Sequence, residues 1–174
     1  MKKQLWSLAA IALLLGACGE TTVEKVETDT SSEEVAAEEE ATEEEAAPEF
    51  YKVGDTVSVD GVNLTITSAS FTDPAEYSEV ENDKVLTIEV DVENTNDTSS
   101  LVDSTDFSLY DAEGNQMSDY YSYDEMPIST DLNAGKKAKG KLYFDVTDGT
   151  TYELIYVPFF SLDGKEVKWN IEVQ

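Results

Sequence analysis

Cys18 is the only thiol in the chain, and it follows Leu15-Gly16-Ala17 at the end of an 11-residue apolar run, Leu5 to Leu15, that begins just behind Lys2 and Lys3. Small residues before a lone cysteine, after a basic start and a short apolar stretch, are where a signal peptide is cut and the new terminal thiol takes a lipid. The spacing therefore predicts cleavage ahead of Cys18 and attachment through its sulfur. The remaining reactive side chains restrict catalysis by subtraction. There is no histidine; with the one cysteine committed to lipid, Ser-His, Cys-His and other histidine-based acid-base schemes are excluded, as are the usual zinc sites. Carboxylate or Ser-Lys chemistry is what is left. Glycoside cleavage needs two acids held at a defined separation across a cleft, and the 25 acids of residues 50–174 make chance pairs common. The chain reads as a non-enzyme that requires no cofactor.

Calcium suits carboxylate oxygens, and Asp103 with Asp106, or Asp119 with Asp124 and Glu125, are the clusters to consider. Neither has the Asp-x-Asp-x-Asp-Gly spacing of a calcium loop, so both read as solvated surface acids and no metal is assigned. Tyr120, Tyr121 and Tyr123, between Met117 and Met126, are the most unusual local composition. Tyrosine offers a large contact area with a polar tip at little entropic cost, so these three are the candidate ligand contacts, for a peptide or a glycan. The competing reading is that the rings pack on the edge of a sheet. Lys137, Lys139 and Lys141 fall two apart and so share one face of a strand, as do Glu89, Asp91 and Glu93. The two strands are expected to be neighbours, with lysines opposite acids.

The elements that carry these residues divide the chain in three. Residues 1–17 read as the signal peptide, whose apolar run is well short of the ~20 residues of a membrane-spanning helix. Residues 18–49 read as the lipidated cysteine and a disordered tether, because 13 acids against Lys25 in residues 20–49, with no aromatic until Phe50, cannot bury enough surface to offset ordering. A 30-residue coil spans about 30 Å, more under self-repulsion. The lipoprotein resemblance of the Cys18 signal implies a diacylglyceryl group, whose two acyl chains suffice for stable anchoring.

Residues 50–174 hold all nine tyrosines and all six phenylalanines, in short runs of period two. Val57 and Val59 lead through Asp60-Gly61 to Val62, Leu64 and Ile66, and Asp-Gly between alternating runs predicts a hairpin. Leu86 to Val92 alternates with polar residues; Phe107 and Leu109 precede the turn Asp111-Ala112-Glu113-Gly114. Leu142 to Val146, Tyr152 to Val157 as a central strand, and Val167 to Val173 after Pro158 and Asp163-Gly164 complete the set. About seven short strands predict an all-β, two-sheet antiparallel sandwich stapled by no disulfide.

Val53-Gly54-Asp55, the run into Asn94-Thr95-Asn96-Asp97, Phe107-Ser108-Leu109-Tyr110-Asp111 with Gly114, and Asn133-Ala134-Gly135 ahead of Gly140-Lys141-Leu142-Tyr143-Phe144 resemble the bacterial lipoprotein domain of unknown function numbered 4352. The resemblance implies an immunoglobulin-like sandwich, similar to a mycobacterial secreted immunoprotective antigen, on envelope lipoproteins of Gram-positive bacteria. It brings no catalytic residues. The formal charge of -27, without arginine, repels phosphate backbones and excludes nucleic acid as a partner. Asn63-Leu64-Thr65 and Asn96-Asp97-Thr98 fit the glycosylation pattern by chance. The expectation is a lipid-anchored extracytoplasmic binding module on the outer face of the cell membrane, its partner an envelope protein, peptide or glycan. A structural spacer or coat protein, or a carboxylate enzyme, are the alternatives.

Overall fold

The computed structural model of the chain describes residues 23–26, 50–82, 84–159 and 165–173. Cys18, the signal peptide, the rest of the tether and the Asp163-Gly164 turn lie outside the described residues. Twelve strands are seen among those described: β1 (Val23–Val26), β2 (Tyr51–Lys52), β3 (Thr56–Val59), β4 (Val62–Thr72), β5 (Lys84–Asn94), β6 (Ser100–Asp103), β7 (Phe107–Tyr110), β8 (Ser118–Asp119), β9 (Ser129–Leu132), β10 (Lys137–Val146), β11 (Thr151–Tyr156) and β12 (Val167–Glu172). The order β1-β3-β4-β5-β10-β8 makes one sheet, β2-β12-β11-β7 the facing one, and β6-β9 a small third. The seven alternating runs of the sequence are β3, β4, β5, β7, β10, β11 and β12. The other five are two to four residues long and carry no alternating apolar run.

Alternation produces the sandwich. Leu64, Ile66, Leu86, Ile88, Val90, Leu142 and Phe144 from the six-stranded sheet meet Leu109, Tyr152, Leu154, Tyr156, Trp169 and Ile171 from the other in one continuous buried core. β11 lies between β12 and β7, as its apolar sequence predicts. The β3–β4 hairpin turns at Asp60 and Gly61, both at positive φ (49° and 74°), which is the turn Asp-Gly favours. Between Ile66 and Ser68 the pairing with β5 slips by one residue, a β-bulge at Thr67. The inward parity of β4 thereby switches from Val62, Leu64 and Ile66 to Ala69 and Phe71.

The turn motifs hold the two sheets in place. Val53-Gly54-Asp55, with Gly54 at φ 97°, carries the chain from β2 to β3, and the Asp55 carboxylate accepts the Lys52 N–H at 2.9 Å. Asn94 is buried and donates to the carbonyls of Thr98 and Leu132, while its own carbonyl accepts the Gly135 N–H. The Asn94 and Asn133-Ala134-Gly135 motifs thus bind each other. On β11, the Tyr152 hydroxyl donates 2.7 Å to the carbonyl of Thr147, a phenol bonded to backbone just upstream at a crossing between sheets, like the tyrosine corner of immunoglobulin sandwiches.

One segment departs from expectation. Val23–Val26, assigned to the tether by composition, pairs antiparallel with β3 from Val23↔Val59 to Val26↔Thr56. Val23 packs against the core and Lys25 lies 3.1 Å from Asp55.

Candidate functional site

The outer face of the six-stranded sheet gathers most of the residues singled out above. Its middle is an ionic ladder. β5 and β10 pair with Lys137 opposite Glu93, Lys139 opposite Asp91 and Lys141 opposite Glu89, as the spacing predicts. Lys137 reaches Glu93 at 3.0 Å and Lys139 reaches Asp91 at 2.6 Å. Lys141 instead bonds Glu125 at 2.6 Å, and Glu89 accepts from the Ser68 hydroxyl beside the bulge. The pairing with Lys141 draws Glu125 below the usual carboxylate range, and the same bond holds Lys141 above the usual ammonium range. A shallow groove of about 450 Å³ opens there, lined by Thr67, Glu89, Asp91, Glu125, Lys139 and Lys141.

At one end of this face the tyrosines form a roof. Tyr120 is only 4% exposed and packs with Val85 and Tyr143, with Val80 and Tyr123 against them. The rings of Tyr120, Tyr123 and Tyr143 meet edge to face at 4.9 Å, and the Tyr120 hydroxyl accepts the Ala75 N–H at 2.7 Å. The Tyr123 hydroxyl donates to the Asp73 carbonyl. Asp145, buried on β10, accepts the Glu81 and Asn82 N–H groups at 2.6 and 3.0 Å and fixes the far side of the same 73–82 loop.

The three candidate tyrosines therefore separate. Tyr120 and Tyr123 brace the roof, the packing alternative to ligand contact, since their hydroxyls are spent on the 73–82 loop. Tyr121 is 52% exposed, its hydroxyl donating to Asp119 at 3.0 Å. Burial, then the Asp119 bond, push its phenol up.

The calcium clusters do not assemble. Asp103 caps the 3-10 turn Ser104–Asp106 in a reciprocal capping box with Asp106. The Ser129 hydroxyl and the Thr105 amide and hydroxyl hold Asp103 low, whereas burial pushes Asp106 up. Asp119 and Glu125 are taken by Tyr121 and Lys141. Among the described residues no three acids converge on a common point. Sequence reasoning passed over Asp145 and Val23–Val26. For the second a signal existed, since Val23 and Lys25 interrupt an otherwise acidic, small-residue run.

Two facing sheets, antiparallel but for the parallel β2–β12 pair, with a tyrosine corner and a shared core between them, define an immunoglobulin-like β-sandwich whose outer face carries paired charges and a braced aromatic loop. The chain belongs to the family described as Domain of unknown function (DUF4352), matched over residues 51–167. It is 35% identical over 126 residues to an uncharacterized lipoprotein, YcdA, of Bacillus subtilis strain 168, covering 64% of this chain and 35% of that one. The chain thus spans about a third of that relative. The crystal structure of the same Bacillus lipoprotein superposes with a TM-score of 0.57 at 34% identity, over 65% of this chain and 37% of that one. The secreted Mycobacterium tuberculosis protein MPT63 shares the fold at 16% identity and a TM-score of 0.52, over 73% and 98% of the two chains.

Proposed function

We propose that the protein is a lipid-anchored, non-enzymatic binding module of the bacterial cell envelope, held by Cys18 on the extracytoplasmic face of the cell membrane. The lipoprotein name of the Bacillus relative and the Leu15-Gly16-Ala17-Cys18 signal support the anchor. Among the described residues no helix is long and apolar enough to cross a membrane. The observation that carries binding is the groove on the outer face, where Glu89, Asp91 and Glu125 stand against Lys139 and Lys141. Both signs of charge in an open polar trough suit a polar peptide or glycan, not an apolar small molecule.

A structural spacer without a ligand has one observation in its favour: each lysine of the ladder is already paired within the domain. Crosslinking on intact cells followed by pull-down separates the two readings, with Cys18→Ala as the displaced control. A binder recovers one specific partner that is lost on Lys139→Glu or Tyr121→Ser; a spacer recovers none.

A further inference from the structure

The edge of β3 is covered by a piece of the chain that composition assigns to the tether. Val23–Val26 pairs along the whole of β3. Val23 lies on the core, and the Lys25 ammonium reaches the Asp55 carboxylate. Asp55 is preset for this: its other oxygen accepts the Lys52 N–H in the turn that links the sheets. Lys25 and Asp55 are also the charges felt by the Tyr51 phenol on β2, the edge of the facing sheet. β1 therefore lies along one flank of the sandwich, where both sheets end.

Chain arithmetic makes this contact consequential. Four residues separate Cys18 from Val23, whereas 31 separate it from Phe50. We propose that β1 is a docking strap that sets how far the domain stands from its lipid anchor, the strand-addition site on β3 being filled by the chain's own Val23–Val26. The proposal rests on Cys18 being the anchor. With the strap docked, the fully extended path from Cys18 to the sheet is at most about 17 Å, and the domain is parked at the membrane. With it released, a coil of 31 residues averages about 30 Å and can stretch much further.

The strap is built to be reversible. It is four residues long, held by its pairing with β3, the packing of Val23 and, among the described side chains, one ion pair, and Lys25 is nearly half exposed. Its docking also closes a connection, residues 27–49, that carries 11 acids and no base, so like-charge repulsion and closure entropy both oppose it. An extended segment from elsewhere that offers an apolar residue and a lysine two apart would compete for the same edge.

The test uses the full lipidated chain on phosphatidylcholine vesicles carrying a fluorescent headgroup acceptor. A donor is placed on Tyr77→Cys, at a residue 95% exposed and remote in sequence from the strap. The comparison is with Val23→Asp/Lys25→Glu. The docked strap predicts energy transfer about twofold higher in the parent, and exchange about tenfold slower at the alternate amides of residues 56–59 that face β1 rather than β4, with β5 and β10 equally protected in both. Equal transfer and equal exchange in the two chains overturn the proposal. So does elution of the parent as a dimer whose 56–59 protection is lost on dilution, which means that the strap comes from a second copy. If neither chain floats with vesicles, the anchor fails, and exchange alone still decides whether the strap docks.

Discussion

Asp103 and Asp106 show how two like residues three apart acquire opposite titration behaviour. Asp103 accepts from Ser129 and Thr105, which favours its charged form; Asp106 is half-buried, which disfavours it. A carboxyl whose folded pKa is raised destabilises the fold as pH rises above its unfolded value, and fully so once pH exceeds the folded one. Asp106→Asn, which keeps one oxygen acceptor for the backbone N–H groups of Asp103 and Phe159, should therefore raise the melting temperature at pH 7, as read by calorimetry. That gain should vanish below about pH 3.9, where folded and unfolded carboxyls are both protonated. Asp103 has the reverse sign: its contribution is present above the unfolded carboxyl pKa and is lost as pH falls through its own lower value. The tyrosines divide in the same concrete way. Tyr120→Phe leaves the Ala75 N–H without its acceptor and should cost about 1–2 kcal/mol in urea denaturation. Tyr121→Ser, at an exposed ring, should leave stability within about 0.5 kcal/mol.

Two glycines at the scale of strands and turns are constrained for different reasons. Gly61 sits at φ 74° in the β3–β4 hairpin, and a Cβ there would overlap the Asn96 side chain. Gly140 has no unusual backbone, but a Cβ would come within 2.6 Å of Ile128 Cβ, where the 120–128 segment folds onto β10. Gly61→Ala should cost about 1–2 kcal/mol through backbone strain, and Gly140→Ala about 1–3 kcal/mol through overpacking; denaturant midpoints measure both. The ladder between β5 and β10 contributes little energy. Its pairs are exposed, so Lys139→Ala should change stability by about 0.5 kcal/mol or less, and by less still in high salt. Its physical role is register: a slip of one residue would turn Glu89, Asp91 and Glu93 into the core. That pairing was legible from spacing alone, because alternation fixes which residues share a face. The Thr67 bulge was not, since an inserted residue breaks no local preference and shows only when β4 is laid beside β5.

For the whole molecule the acidic charge bears on the proposed anchor. Residues 50–174 carry 25 acids against eight lysines, so the domain is repelled by anionic lipid within about a Debye length of 8 Å. With the proposed anchor at Cys18, a docked β1 would oppose that repulsion by limiting the domain's reach, and its release would let the domain move out. The sequence by itself determined the all-β class, the seven principal strands, the two-sheet sandwich, the Asp60-Gly61 hairpin and the facing of lysines by acids. These follow from period-two burial and turn stereochemistry, which are properties of neighbouring residues. Only the tertiary structure decided that Tyr120 and Tyr123 are braces while Tyr121 is open, that Asp145 secures a loop more than 60 residues away in sequence, and that Val23–Val26 belongs to the sheet. Each depends on a hydrogen bond or an edge supplied by a distant part of the chain. The free energy of such a contact is set by what the fold brings opposite it, which no local window of sequence contains.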